Sequence, residues 1–179
     1  MRTLVLVTLI AAAAVIAVPH SLSAQSRAQQ LAAAFDKQKH VLREKRGVTK
    51  EKYADVRAEP VVKRNISEYA GVYEFTDFGD VIELRIGSDG RIAGDGQDSG
   101  RRPRAFLLEN AKIDGAVLTA TKVYRDETRE TLEGVFMTRT RRESPSDPGL
   151  TTFGLGVLLT TPREFAGNTF DRLFYQLRD

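Results

Sequence analysis

The sequence predicts a mainly β protein: an antiparallel up-and-down β-barrel of about eight strands behind an N-terminal amphipathic helix. Three observations predict it. The apolar period changes from about 3.6 to 2 near Tyr69. Turn signals such as Asp89-Gly90, Asp114-Gly115 and Asp126-Glu127 punctuate short alternating runs. Almost no helical pattern lies between those runs, which makes neighbouring strands antiparallel. A meander of this size closes into a barrel or folds into a sandwich, since both hide strand edges. Even spacing and the lack of a long crossover favour the barrel.

Residues 1–24 read as a secretory signal peptide. Arg2 precedes an apolar run from Leu4 to Val18, then Pro19, then the small residues Ser21, Ser23 and Ala24. The run is about 15 residues long, short of the roughly 20 a membrane span needs. Cleavage near Ala24 would place the protein in the periplasm or outside the cell.

Residues 25–68 read as a helical segment and connector. Ser26-Arg27-Ala28-Gln29 has the form of a capping box. Ala28, Leu31, Phe35, Gln38 and Leu42 recur at steps of three and four, Lys45 and Arg46 fall in the last turn, and Gly47 is a stop. This predicts a helix over Ser26–Arg46, packed on the barrel as a lid over one end, paired with a partner helix, or laid on a membrane surface. His40 reads as an exposed helix residue. Thr49 is placed to cap a short second helix through Val56, ended by Pro60, and Glu59–Glu68 reads as connector. Asn65-Ile66-Ser67 is a glycosylation sequon, idle in a bacterium.

Residues 69–179 read as the barrel. Tyr73 and Phe75 begin the alternation, and Ile82, Leu84 and Ile86 continue it. Asp89-Gly90 predicts a hairpin with a tight primed turn. Further strands are expected at Ala105–Glu109, Ala116–Tyr124, Arg129–Arg142, Thr151–Thr160 and Thr169–Arg178, with a loop at Ser144–Gly149.

Composition narrows the chemistry. The chain has no Cys, which excludes thiol catalysis, thiolate zinc sites and iron–sulfur clusters. With His20 in the signal segment, His40 is the one histidine left for a triad or metal site. A formal net charge of +3 is too mild to argue for nucleic acid.

At Gly71-Val72-Tyr73 the chain resembles the calycin barrels, lipocalins and avidin-like proteins, in which a Gly-x-aromatic opens the first strand. Val81–Gly94 is similar to an avidin-type first hairpin. The resemblance implies an eight-stranded barrel with a ligand in its mouth and a basic residue, Arg172 or Arg178, across Tyr73. It covers residues 69–179. The chain has no Trp, so the aromatic floor of a biotin-type site is missing.

Four constellations are candidates for function. Tyr73, Tyr124, Phe136, Phe153 and Tyr175 would line an apolar cavity, or pack as core. Arg101, Arg102 and Arg104, with Arg139 and Arg141, would form an anion site if the two clusters meet, or a solvated basic rim. Asp95 and Asp98, among the glycines of residues 94–100, would ligate calcium, or sit in a solvated turn. Asp77, Asp80 and Glu83 are candidates for paired-carboxylate hydrolysis, or chance neighbours. The leading expectation is an exported, non-catalytic binder of a small apolar or amphipathic molecule, without cofactor or nucleic-acid partner and not integral to the membrane. The alternative is an envelope interaction or structural protein with a filled barrel, meeting an envelope protein or anionic surface through the helix and arginine faces.

Overall fold

The computed structural model describes residues 20–45, 54–75, 79–100, 102–142, 148–165 and 168–178; side chains at 20–22, 36–45, 54–56, 141–142, 165 and 168 are not described. A helix, α1 (His20–Lys45), is followed by nine strands: β1 (Ala54–Pro60), β2 (Gly71–Phe75), β3 (Asp80–Ile86), β4 (Ile92–Asp98), β5 (Arg104–Asp114), β6 (Val117–Tyr124), β7 (Arg129–Arg142), β8 (Leu150–Phe165) and β9 (Asn168–Leu177). A 3₁₀ turn, Ile66–Tyr69, precedes β2.

Strands β2 to β9 pair with their sequence neighbours, and β9 pairs back to β2, so eight antiparallel strands close into a barrel. Period 2 then sorts the residues. Tyr73, Ile82, Leu84, Phe106, Leu118, Phe136, Leu155 and Tyr175 pack together inside. Glycine makes room for this interior: a Cβ at Gly96 would meet the Phe106 ring and the Val81 carbonyl, so the glycine-rich stretch 94–98 is a strand, not the expected turn. The β3–β4 connection also differs from expectation. Gly87 N–H donates to the Arg91 carbonyl and Gly90 alone carries a positive φ (77°), a three-residue loop with one left-handed glycine rather than a two-residue primed turn.

Ala54–Val56 belong to β1, not to a second helix; positions 49–53 lie outside the described residues. Arg57 and Glu59 are exposed and Ala58 and Pro60 half-buried, and β1 pairs antiparallel to β7 at residues 137–142, just beyond the stretch 129–135 that β6 uses. The end of the expected second helix and the start of the expected connector therefore supply a ninth strand.

Residues His20–Lys45 are helical, so Ser26 is interior to α1 and forms no capping box. Nor is α1 a lid. Ala28, Leu31, Ala32 and Phe35 pack on the outer wall, against Val117, Val135 and Met137, with Leu158 and Phe174 at the margin. Arg27 holds Glu133 with two hydrogen bonds, 2.9 and 2.6 Å. His40 lies on α1, with its side chain among those not described. No described helix is long and apolar enough to cross a membrane.

One barrel end is closed by residues 61–70. Asn65 caps the 3₁₀ turn, accepting from Ser67 N (3.1 Å), and Glu68 accepts from Asn65 N (2.9 Å). The sequon asparagine is thus a capping residue. Tyr69 seats the plug: its hydroxyl accepts from Lys63 N (2.8 Å) and faces the carbonyls of Val61 (3.0 Å) and Gly115 (2.9 Å).

Candidate functional site

The opposite end of the barrel carries a buried charge network. Asp80 opens β3, Asp98 ends β4, Lys122 lies near the end of β6, and Arg163 projects from the far end of β8. The first three are 0 %, 5 % and 3 % exposed, and all three occupy inward positions of their strands. Isolated charges at such sites would each cost several kcal/mol, so they must be paired.

The pairing is mutual. Lys122 Nζ lies 2.7 Å from Asp98 Oδ1 and 4.3 Å from the Phe106 ring centroid. Arg163 bridges the two carboxylates, at 2.8 Å from Asp80 Oδ2 and in contact with Asp98 Oδ2. Asp80 also accepts from the backbone N–H (2.5 Å) and hydroxyl of Ser99. The Tyr124 hydroxyl sits 2.5 Å from Asp98 and 2.9 Å from Glu130, and the Tyr175 hydroxyl 3.4 Å from Asp80.

Burial is the largest influence on Asp98 and opposes its charge; Lys122, the Tyr124 hydroxyl and Arg163 together outweigh it and hold the carboxyl below its usual range. Burial lowers Lys122 despite Asp98. It raises Tyr124 and Tyr175, and the neighbouring carboxylates raise them further. A small cleft of about 20 Å³ adjoins the network, lined by Lys122, Glu130, Thr161 and Arg163 among others. That volume holds roughly one water.

The five candidate cavity residues all lie inside the barrel or at its rim. Tyr69 stacks on Phe136 at 4.2 Å, Phe136 on Phe153 at 6.3 Å, and Tyr73 tilts against Phe136 at 5.7 Å. Tyr73 donates to the Tyr69 carbonyl at 2.7 Å. Tyr124 and Tyr175 belong to the charge network at the other end. Arg172 and Arg178 do not cross Tyr73. Arg172 turns outward to the Ala34 carbonyl on α1 and to Asp171, and Arg178 pairs with Glu74 at 2.9 Å.

Among the described side chains the two arginine clusters do not meet. Arg104 lies at the charged end, over the Tyr124 ring at 3.7 Å and near Asp126 and Glu130. Arg139 lies toward the far end of β7, over the Phe174 ring at 4.6 Å. Arg102 is exposed, Arg101 lies outside the described residues, and the Arg141 side chain is not described. Asp95 and Asp98 face opposite sides of β4: Asp95 pairs outward with Arg85 while Asp98 turns inward, so they share no cation. Among the described residues, no three Asp, Glu or His side chains come together in a group that could hold a metal ion. Glu83 pairs outward with Arg85 at 2.8 Å, away from Asp80, and Asp77 lies outside the described residues.

Sequence reasoning missed Lys122 and Arg163. The signal for Lys122 was its phase: it shares the inward phase of Leu118, Ala120 and Tyr124. No periodic signal marks Arg163, because β8 loses register before reaching it. No protein-family model matches the chain, and no curated protein or solved structure matches it significantly.

Proposed function

We propose that this is an exported, non-catalytic envelope protein that works by macromolecular interaction through its outer surface, the barrel serving as a filled scaffold. One observation carries the reading. Between the aromatic plug at Tyr69 and the ion network at Asp98, the barrel interior is occupied by the protein's own side chains, and the adjoining cleft is water-sized. An apolar ligand of drug-like size needs several hundred Å³. The charged groups satisfy one another, which favours a structural over a catalytic role for them. The closed eight-stranded order and the 3₁₀ turn ahead of Gly71 are compatible with a calycin-like barrel in which core residues replace the ligand.

The contact surface in this reading is polar. The apolar stripe of α1 from Ala28 to Phe35 is already spent on the barrel wall, which leaves its opposite face and the strand extension around Arg57, Arg139 and Arg141. The test is native mass spectrometry on the protein purified from a secreting host, with an apolar fluorescent dye titrated in parallel. A clean apo mass beginning near residue 25 and no dye uptake while folded support the reading. A copurified small molecule that leaves on denaturation overturns it in favour of the ligand-binding barrel.

A further inference from the structure

At the plugged end the sheet continues past the barrel rim as a tab three strands wide. β7 runs beyond Val135, its last partner on the β6 side, to Arg142. There β1 lines one edge of it and the start of β8 the other. The rungs are Glu59–Thr138–Phe153, Ala58–Arg139–Thr152, Arg57–Thr140–Thr151 and Val56–Arg141–Leu150. Residues 61–63 lie against its base: Val61 N–H donates to the Phe136 carbonyl at 2.9 Å, and Lys63 Nζ sits 4.7 Å from the Phe153 ring centroid.

Basic charge is concentrated on this tab. Residues 54–64 and 137–142 hold Arg57, Lys63, Arg64, Arg139, Arg141 and Arg142 against Asp55 and Glu59. That excess is larger than the formal +3 of the whole chain, so the remainder is slightly acidic. Little of it is neutralised among the described side chains. Arg57 pairs with Glu59 at 2.7 Å, but Lys63 and Arg139 lie over the Phe153 and Phe174 rings, which hold a cation without cancelling it. Two apolar side chains break the basic surface. Large hydrophobics are exposed at three described positions, Val62 (64 %), Leu107 (62 %) and Leu150 (70 %). Leu150 stands opposite Arg141 in the ladder, and Val62 directly precedes Lys63 and Arg64. A soluble polyanion asks only for charge. A bilayer of anionic lipids presents charge at its surface and hydrocarbon beneath, and it rewards both kinds of side chain.

We infer that the tab is a membrane-surface contact: its cations meet the headgroups of anionic lipids, and Leu150 and Val62 enter the headgroup boundary. The barrel then stands off the bilayer, with the charge network at its far end. This inference rests on the surface role proposed above and names the partner of that surface.

Cosedimentation with lipid vesicles tests it, on the protein purified from the secreting host. Vesicles of phosphatidylglycerol mixed with phosphatidylcholine should bind it at least about tenfold more tightly than phosphatidylcholine alone, and the difference should shrink as salt is raised. Arg64→Gln combined with Arg141→Gln should weaken binding by about tenfold or more, roughly fivefold for each charge removed. Leu150→Ser should weaken it by about threefold and leave the salt dependence unchanged. Equal binding to both vesicle types, no binding to either, or a double variant as tight as the native protein overturns the lipid partner. So does dextran sulfate bound as tightly as the anionic vesicles with Leu150→Ser without effect, which marks a soluble polyanion. The native comparison of the two vesicle types decides the matter if a variant does not fold. Failure on vesicles alongside a clean apo mass strikes the lipid and leaves the surface role standing, whereas a copurified small molecule strikes the surface role whatever the vesicles show.

Discussion

The Phe35 ring of α1 lies where a side chain at Gly156 of β8 would begin: a Cβ built there would sit 2.7 Å from Phe35 Cζ and 2.8 Å from Cε2. The helix is thus keyed to the outer wall at a point where β8 has no side chain to offer. Gly154, two residues away on the same strand, is constrained differently, because its Cβ would strike the Tyr175 backbone carbonyl.

This contrast predicts an order of effects. Gly156→Ala meets the mobile ends of Phe35 and Met137, so overpacking should cost about 1 kcal/mol and loosen α1. Gly154→Ala meets backbone across the ladder and should cost about 3 kcal/mol, at the upper end of overpacking costs. Urea midpoints measure both. A Gly156→Ala variant as unstable as Gly154→Ala would show that the helix seat is rigid.

Asp98 predicts the acid limb of stability. Its carboxyl is held below the usual range in the fold, so it stabilises the protein fully above its unfolded pKa of about 4. That contribution is lost as pH falls through the lower, folded value. Asp98→Asn leaves Lys122 buried with a weakened partner and should cost about 3 kcal/mol at pH 7. The variant should also lose less stability than the native protein between pH 5 and about 2. Equal slopes for the two proteins, from urea midpoints across that range, would remove Asp98 from the acid transition.

The architecture was legible where period and phase agree. β7 spans the residues expected of it, and β6, β8 and β9 differ mainly at their ends, because alternation with buried Val, Leu and Phe is a backbone-level signal. Glycine misled the reading at 94–98, where it serves close packing of Phe106 instead of a turn. β1 was illegible because Arg57, Ala58 and Glu59 show no apolar alternation and depend on β7 for their pairing. The charge network was half legible: Asp80, Asp98, Tyr124 and Tyr175 were singled out one by one, but their union requires four strands and Arg163, a relationship of barrel closure that no local pattern contains.

The plug predicts a second local effect. Tyr69→Phe removes the oxygen that receives Lys63 N–H and faces the Val61 and Gly115 carbonyls, while keeping the ring on Phe136. The loss should be about 1–2 kcal/mol, since a partly buried amide is left without its acceptor. Hydrogen exchange should rise first at residues 61–70. A uniform rise across the barrel, or an unchanged midpoint, would show that the hydroxyl does not fasten the plug.

The tyrosines predict the alkaline limb. Burial raises Tyr69, Tyr73, Tyr124 and Tyr175, and carboxylates add to it at Tyr124 and Tyr175. A raised phenol pKa means the folded state keeps protons that the unfolded state releases, so this stabilisation is whole below the unfolded value of about 10 and is lost as pH rises toward the folded values. Lys122 runs the other way: its lowered folded value lets stability rise with pH up to its unfolded value of about 10.4, which offsets part of the loss. Because four phenols oppose one amine, stability should fall steeply above about pH 10.5. Ultraviolet titration of tyrosinate in the folded protein, repeated in urea, measures it directly. Tyr69, Tyr73, Tyr124 and Tyr175 should stay protonated in the folded protein and ionise only within the unfolding transition. Gradual ionisation of these four with the fold intact would mean that the hydroxyls of Tyr73 and Tyr124 are open to solvent, and the filled barrel would fall with them.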